Sequence, residues 1–108
     1  MTAQELLRWM PEALDPEAAA GTEATIQYEI SEPTYQVLHD GKLTVHEGRA
    51  ENPDLTVATS DENLVKLFRG ELNPMSAFMS GKLKVKGDMG LAQRLVGLVD
   101  RDKVTAKS

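Results

Sequence analysis

The sequence predicts an α+β sandwich, a twisted and mostly antiparallel five-stranded sheet covered by helices. Three observations predict it. One-sided strand patterns with a period of two come in a run between Thr25 and Val57. Helix-period patterns lie before and after that run, and elements segregated in this way build layers instead of alternating β-α-β units. No internal repeat or low-complexity segment interrupts the 108 residues, a length that suits one domain burying about two-thirds of its extended surface.

The first helix opens on Thr2 and Glu5, a capping-box pair, and carries Leu6, Leu7 and Met10 on one stripe. Pro11 is expected to bend or restart it, because proline cannot donate to the helix ladder. Trp9 lies off the stripe, either at the edge of the core or at a ligand mouth or partner surface. Asp15-Pro16 begins a short Ala-rich turn that reaches Gly21. Ile26, Tyr28 and Ile30 then alternate with Thr25, Gln27 and Glu29 as a one-sided strand, and Ser31-Glu32-Pro33 turns it.

Two registers compete for the next hairpin. A two-residue Asp40-Gly41 loop sets His39 against Lys42 and puts Tyr35 and Val37 opposite to Leu43 and Val45. A three-residue loop, His39-Asp40-Gly41, gathers Tyr35, Val37, Leu43 and Val45 on one face and is the register expected here. Leu55 and Val57 form the fourth strand after a loop from Gly48 to Pro53. Thr59 and Glu62 read as a second capping box, opening a helix that shares Leu64, Leu67 and Phe68 on one face and closes at Gly70.

Residues 73–92 concentrate the apolar weight of the chain. Asn73 caps a helix with Pro74 in its first position, Met75, Phe78 and Met79 fall at i, i+3 and i+4, and Gly81 ends it. Leu83 and Val85 alternate with Lys82, Lys84 and Lys86 as a half-buried strand. After Gly87, Asp88 caps a last helix running to about Val99. Its residues Met89, Leu91, Ala92, Leu95, Val96, Leu98 and Val99 cover more than the ~100° stripe a surface helix needs. As the final element, attached at one end, it is the expected movable part. Residues 100–108 read as a charged tail.

Composition narrows the function. The net charge is −5 and there is no cysteine, so nucleic acid exerts no global pull and disulfides and thiolate chemistry are excluded. No apolar run approaches the ~20 residues of a membrane span. No leader pattern opens the chain, and the ending Ala106-Lys107-Ser108 does not match a peroxisomal address. Cytoplasmic is therefore the expected location. Five Met against two Phe and one Trp makes the apolar filler flexible, either to fit varied apolar ligands or simply to fill a small core.

Catalysis finds little to work with. His39 belongs to a turn and His46 to the polar face of a strand; two separated histidines without cysteine do not make a metal site. Ser60, Ser76 and Ser80 fall in capping or helical positions with no nucleophile elbow around them. Asp61-Glu62 suits a first helical turn. Gly81, Gly87 and Gly90 lack the spacing of a phosphate or dinucleotide loop. The expectation is no catalytic residue, no metal and no cofactor. Lys82, Lys84 and Lys86 carry two readings: guards against edge-to-edge strand pairing, or an anionic headgroup contact with Arg94 as helper.

The order Gly70-x-Leu72-Asn73-Pro74, Ser76-Ala77-Phe78 and Gly81-Lys-Leu-Lys-Val-x-Gly-Asp-Met-Gly-Leu-Ala92 closely resembles the sterol carrier protein two family, most specifically over residues 70–95. The resemblance implies a single lipid-binding domain over residues 1–108 with an internal apolar tunnel for a sterol, fatty acid, acyl-CoA or phospholipid. It implies a lining drawn from Phe68, Met75, Phe78, Met79, Met89, Leu91 and Leu95, with Leu83 and Val85 as floor. The expected partners are a lipid or fatty-acyl ligand and a transient membrane contact, in a monomer or a dimer. The alternative is an accessory or dimerisation module presenting an apolar substrate to an enzyme in trans.

Overall fold

The computed structural model describes residues 2–99 and 103; the remainder of the expected tail, with its Ala106-Lys107-Ser108 ending, lies outside the described residues. Among the described residues five α-helices and five strands follow in the order α1 (Ala3–Ala13), α2 (Pro16–Ala19), β1 (Ala24–Glu29), β2 (Thr34–His39), β3 (Lys42–Glu47), β4 (Leu55–Thr59), α3 (Asp61–Arg69), α4 (Pro74–Met79), β5 (Leu83–Gly87) and α5 (Met89–Leu95). The sheet runs β3-β2-β1-β4-β5. Its pairs are antiparallel except the central β1–β4 pair, which is parallel. This is the α+β sandwich expected, with one parallel ladder in a mostly antiparallel sheet.

Thr2 caps α1 as the pattern predicts, its Oγ1 accepting from the Glu5 N–H at 3.1 Å. Pro11 does not restart the helix, which continues to Ala13. The Leu7 carbonyl, which Pro11 cannot serve, accepts instead from the Gln36 side-chain amide at 3.1 Å. α1 buries Ala3, Leu6, Leu7, Met10 and Ala13, and Trp9 is partly buried against this core.

The β2–β3 hairpin takes the two-residue register instead of the expected three-residue one. His39 pairs with Lys42 across the Asp40-Gly41 loop. Both loop residues have positive φ, 54° and 74°, the conformation that matches strand twist and favours Asp-Gly. Leu38 therefore faces Leu43 and Gln36 faces Val45 on the helix-covered side, while Tyr35 faces His46 and Val37 faces Thr44 outside. The three-residue expectation failed because it counted Gln36 as an outward polar residue. Gln36 is fully buried and fully occupied, its carbonyl accepting from the Tyr28 hydroxyl at 3.0 Å. Outside, the Tyr35 ring stacks on His46 at 5.0 Å.

A second buried glutamine holds the long connection to β4. Gln27 donates to the carbonyls of Thr34 at 3.3 Å and Gly48 at 3.1 Å, and accepts from the Ala50 N–H at 2.7 Å. The cap of α3 is Ser60, whose Oγ accepts from the Asn63 N–H at 3.1 Å, not Thr59. Thr59 is still on the strand, and its hydroxyl donates to the Lys82 carbonyl at 2.8 Å. Glu62, freed from capping, pairs with Lys66 one turn on. Gly70 closes α3 in the left-handed conformation, φ 80°, which a side chain would strain.

The last helix is shorter than its apolar pattern. α5 ends at Leu95 and gives way to a 3-10 turn over Val96–Leu98. Val99 then forms a bridge with Leu14, and the Asp15 N–H donates to the Leu98 carbonyl at 2.8 Å. The segment is thus pinned at both ends, contrary to the one-ended attachment expected. Leu98 and Val99 are buried by this return, which accounts for part of the surplus apolar surface.

Candidate functional site: an apolar cavity between the last helices and the sheet edge

The site begins with the pairing of Val57 and Val85 on β4 and β5. Alternation along β5 sends Leu83 and Val85 to the helix side and Lys84 and Lys86 to the other. α3 lays Leu64, Leu67 and Phe68 over this corner, one helical face buried as a unit. Asn73 starts α4, its side chain accepting from the N–H groups of Met75 at 2.9 Å and Ser76 at 3.2 Å. Asp88 starts α5 in the same way, accepting from the Leu91 N–H at 3.0 Å.

Between these elements lies a cavity of about 150 Å³. Its wall comprises Val57, Leu64, Leu67 and Phe68, then Leu83 and Val85, then Pro74, Met75 and Phe78 of α4 and Met89, Ala92, Gln93 and Leu95 of α5. Gln93 is the one polar side chain among these described residues. Inner wall residues such as Phe68 and Leu64 are about 1% exposed, whereas Met75 is 59%, Phe78 44% and Met89 45% exposed. The cavity therefore opens to solvent between α4 and α5.

Seven of the nine apolar residues singled out from the sequence meet here: Phe68, Met75, Phe78, Leu83, Val85, Met89 and Leu95. Two do not. Leu91 is buried in the core away from the wall, and Met79 is 79% exposed and points elsewhere. The reason is the seat of α4: only Ala77 of this helix is buried, so its Met75–Phe78–Met79 row faces outward and only the near part borders the cavity. Sequence reasoning missed Val57, Leu64, Leu67, Pro74, Ala92 and Gln93. Leu64 and Leu67 were legible, since they share the helical face of Phe68; Val57 was not, because only the β4–β5 register brings it beside Val85.

The four cations singled out do not join the wall. Lys82, Lys84 and Lys86 are exposed, and Arg94 donates to the Thr22 hydroxyl at 3.4 Å. The histidines are also remote: His39 pairs with Glu23 and His46 contacts Thr44 and Tyr35. Among the described residues the strongly perturbed acid is Tyr28, whose phenol burial pushes far up; it is a core group bonded to Gln36. Among the described residues no group of three or more His, Cys, Asp or Glu is placed to hold a metal. What this cavity offers a guest is solvation of an apolar body.

The SCP-2 sterol transfer family matches residues 3–100. The chain belongs to that family. Over 101 residues it is 33% identical to hydroxysteroid dehydrogenase-like protein 2 of Rattus norvegicus, covering 89% of this chain and 19% of that protein. The chain thus spans about a fifth of that relative's length. Among solved structures, the palmitated SCP2L2 of Aedes aegypti superposes with a TM-score of 0.70 at 25% identity, covering 90% of this chain and 93% of that one. A segment of the sec-alkylsulfatase Pisa1 from Pseudomonas sp. superposes with a TM-score of 0.86 at 23% identity, covering 93% of this chain and 16% of that one; this match shares the fold. SCP-2 domains are lipid-binding modules that also occur as parts of enzymes. No helix among the described residues is long and apolar enough to cross a membrane.

Proposed function

We propose that this SCP-2 domain is a lipid carrier that takes the hydrocarbon part of a fatty-acyl or sterol ligand into the cavity between α3, α4, β5 and α5 and does not convert it. The carrying observation is the wall itself, apolar but for Gln93, beneath the exposed Met75, Phe78 and Met89. Transfer of hydrocarbon from water to such a wall stabilises binding by ~25 cal/mol per Å² buried. The polar head of the ligand stays at the mouth. The palmitate named in the Aedes aegypti relative supports a fatty-acyl ligand. We place the carrier in the cytoplasm.

The cavity volume sets a condition. Sites that enclose a small molecule hold about 300–1,000 Å³, and this one holds about 150 Å³. A whole lipid chain enters only if α4 and α5 part and the cleft lengthens into a tunnel. Of the two helices at the mouth, α4 buries one residue, Ala77, and α5 buries Leu91 and Leu95, so α4 is the freer wall. Native mass spectrometry of the purified chain, followed by titration with fluorescent fatty-acid and sterol analogues, tests the proposal. Saturation at one ligand per chain supports it; failure of every lipid class to bind overturns it.

A second reading is favoured by the small share of the dehydrogenase-like relative and of the alkylsulfatase that the domain matches. In it the domain presents an apolar substrate to an enzyme in trans, or dimerises. Light scattering of the purified chain, with and without fatty acid, separates a dimer from a monomeric carrier.

A further inference from the structure

The chain carries five methionines, and the four among the described residues fall into two settings. Met10 of α1 is buried in the core, where its sulfur accepts from the Gln36 side-chain amide at 3.5 Å. Met75, Met79 and Met89 are exposed. A buried methionine fills an irregular gap in a core; the three exposed ones fill none. Two of them, Met75 on α4 and Met89 on α5, border the cavity from the helices that flank its mouth, whereas Met79 does not. Three thioether sulfurs are therefore open to solvent, and two of them belong to the wall.

A thioether sulfur is nucleophilic, and a peroxide that reaches it transfers one oxygen. The sulfur lone pair attacks, the O–O bond breaks, and hydrogen peroxide leaves as water; the sulfur loses two electrons and becomes a sulfoxide. An apolar side chain is thereby made polar. We infer that Met75 and Met89 form an oxidation-sensitive switch at the cavity mouth, through which a peroxide weakens the hold on an apolar ligand. The inference rests on the carrier reading. Gln93 is the one polar side chain among the described wall residues, so a new sulfoxide there changes the character of the wall. It either faces the ligand's hydrocarbon unpaired or turns away and withdraws its contact. Both cost affinity, by about fivefold or more. The fold is spared, because the Met75 N–H stays on the Asn73 side chain at 2.9 Å and only an exposed side chain is altered.

The test incubates the full chain with hydrogen peroxide, follows oxygen uptake by peptide mass spectrometry, and titrates each sample with a fluorescent fatty acid. Met75, Met79 and Met89 should gain oxygen well before Met10. The oxidised chain should bind the probe at least about fivefold more weakly at an unchanged urea midpoint, and treatment with methionine sulfoxide reductases should restore binding. A Met75→Leu, Met89→Leu variant, close to the parent in volume, should bind like the untreated parent before and after peroxide. Met79→Leu should lose affinity on oxidation as the parent does. Unchanged affinity with Met75 and Met89 oxidised overturns the switch and leaves the carrier reading standing. So does an equal loss in the Met75→Leu, Met89→Leu variant, or a fall in urea midpoint that accounts for the loss. No probe binding by the untreated chain overturns the carrier reading, and the switch with it.

Discussion

Gln36 on β2 donates its side-chain amide to the Leu7 carbonyl at 3.1 Å, the carbonyl that Pro11, four residues further along α1, cannot satisfy. Its own carbonyl accepts from the Tyr28 hydroxyl at 3.0 Å. One glutamine thus repairs a helix, joins it to the sheet and satisfies a buried phenol.

Replacing Gln36 by Met keeps the volume and leaves both partners unpaired. Each buried orphan costs about 1–3 kcal/mol, so Gln36→Met should lower unfolding free energy by about 2–6 kcal/mol in urea titration. Pro11→Ala supplies the missing N–H to Leu7. In that background the Gln36→Met cost should shrink by about 1 kcal/mol, a coupling read from the double-mutant cycle. Additive costs would show that Pro11 and Gln36 act separately.

Tyr28 sets an alkaline limit. Burial holds its phenol neutral and raises its pKa far above the ordinary value of 10.0. The unfolded chain loses this proton near the ordinary value, so stability is fully present below pH ~10 and declines as pH rises beyond it. In a Tyr35→Phe variant, phenolate absorbance should stay flat above that pH until the protein unfolds, then rise in one step with the loss of secondary structure. Gradual ionisation with the fold intact would contradict it.

The cavity mouth and the cavity wall should respond differently to substitution. Met75 is largely exposed, so Met75→Ser should change stability by less than ~0.5 kcal/mol while weakening fatty-acid binding several-fold. Phe68 is buried, and Phe68→Ala should cost about 3–5 kcal/mol of stability. Paired urea and fatty-acid titrations on each variant check the contrast.

Gly87 admits no side chain. Its φ is 111°, and a Cβ placed there would collide with the Asp54 carbonyl oxygen, which also accepts from the Asp88 N–H at 2.9 Å. Gly87→Ala should therefore destabilise by at least ~2 kcal/mol, read from the urea midpoint. Gly97 has no positive φ, and the space its methyl group would enter is open. It should accept Ala with little change in urea midpoint.

Ligand entry should be visible in amide exchange. α5 is pinned through Asp88 at its start and through Leu98 and Val99 after it, whereas α4 rests on Ala77. In the empty protein the amides of α4 should exchange faster than those of α5, and bound fatty acid should slow α4 most. Faster exchange in α5 would return the opening to the last helix.

Much of this protein was legible in its sequence wherever the signal is local. Caps at Thr2, Asn73 and Asp88, the helix stop at Gly70, and the alternation of Ile26 with Tyr28 or of Leu83 with Val85 all act within a few residues, so short-range sterics and hydrogen bonding determine them. The motif from Gly70 to Ala92 carried the family. The helix over Asp61–Arg69 was legible too, although its cap moved by one residue because Thr59 found a partner across the sheet.

Only the tertiary structure decided what depends on distant partners. Gln36 and Gln27 look like surface residues until Leu7, Tyr28, Gly48 and Ala50 close around them, and that closure places the hairpin faces. Pro11 reads as a break until β2 supplies the missing donor. Met79 and Phe78 share one helical face by spacing, yet only Phe78 borders the cavity, because the angle at which α4 settles on Ala77 is set by β5 beneath it. The physical reason is the same in each case: periodicity states which residues share a face, and the packing of other elements decides what that face meets.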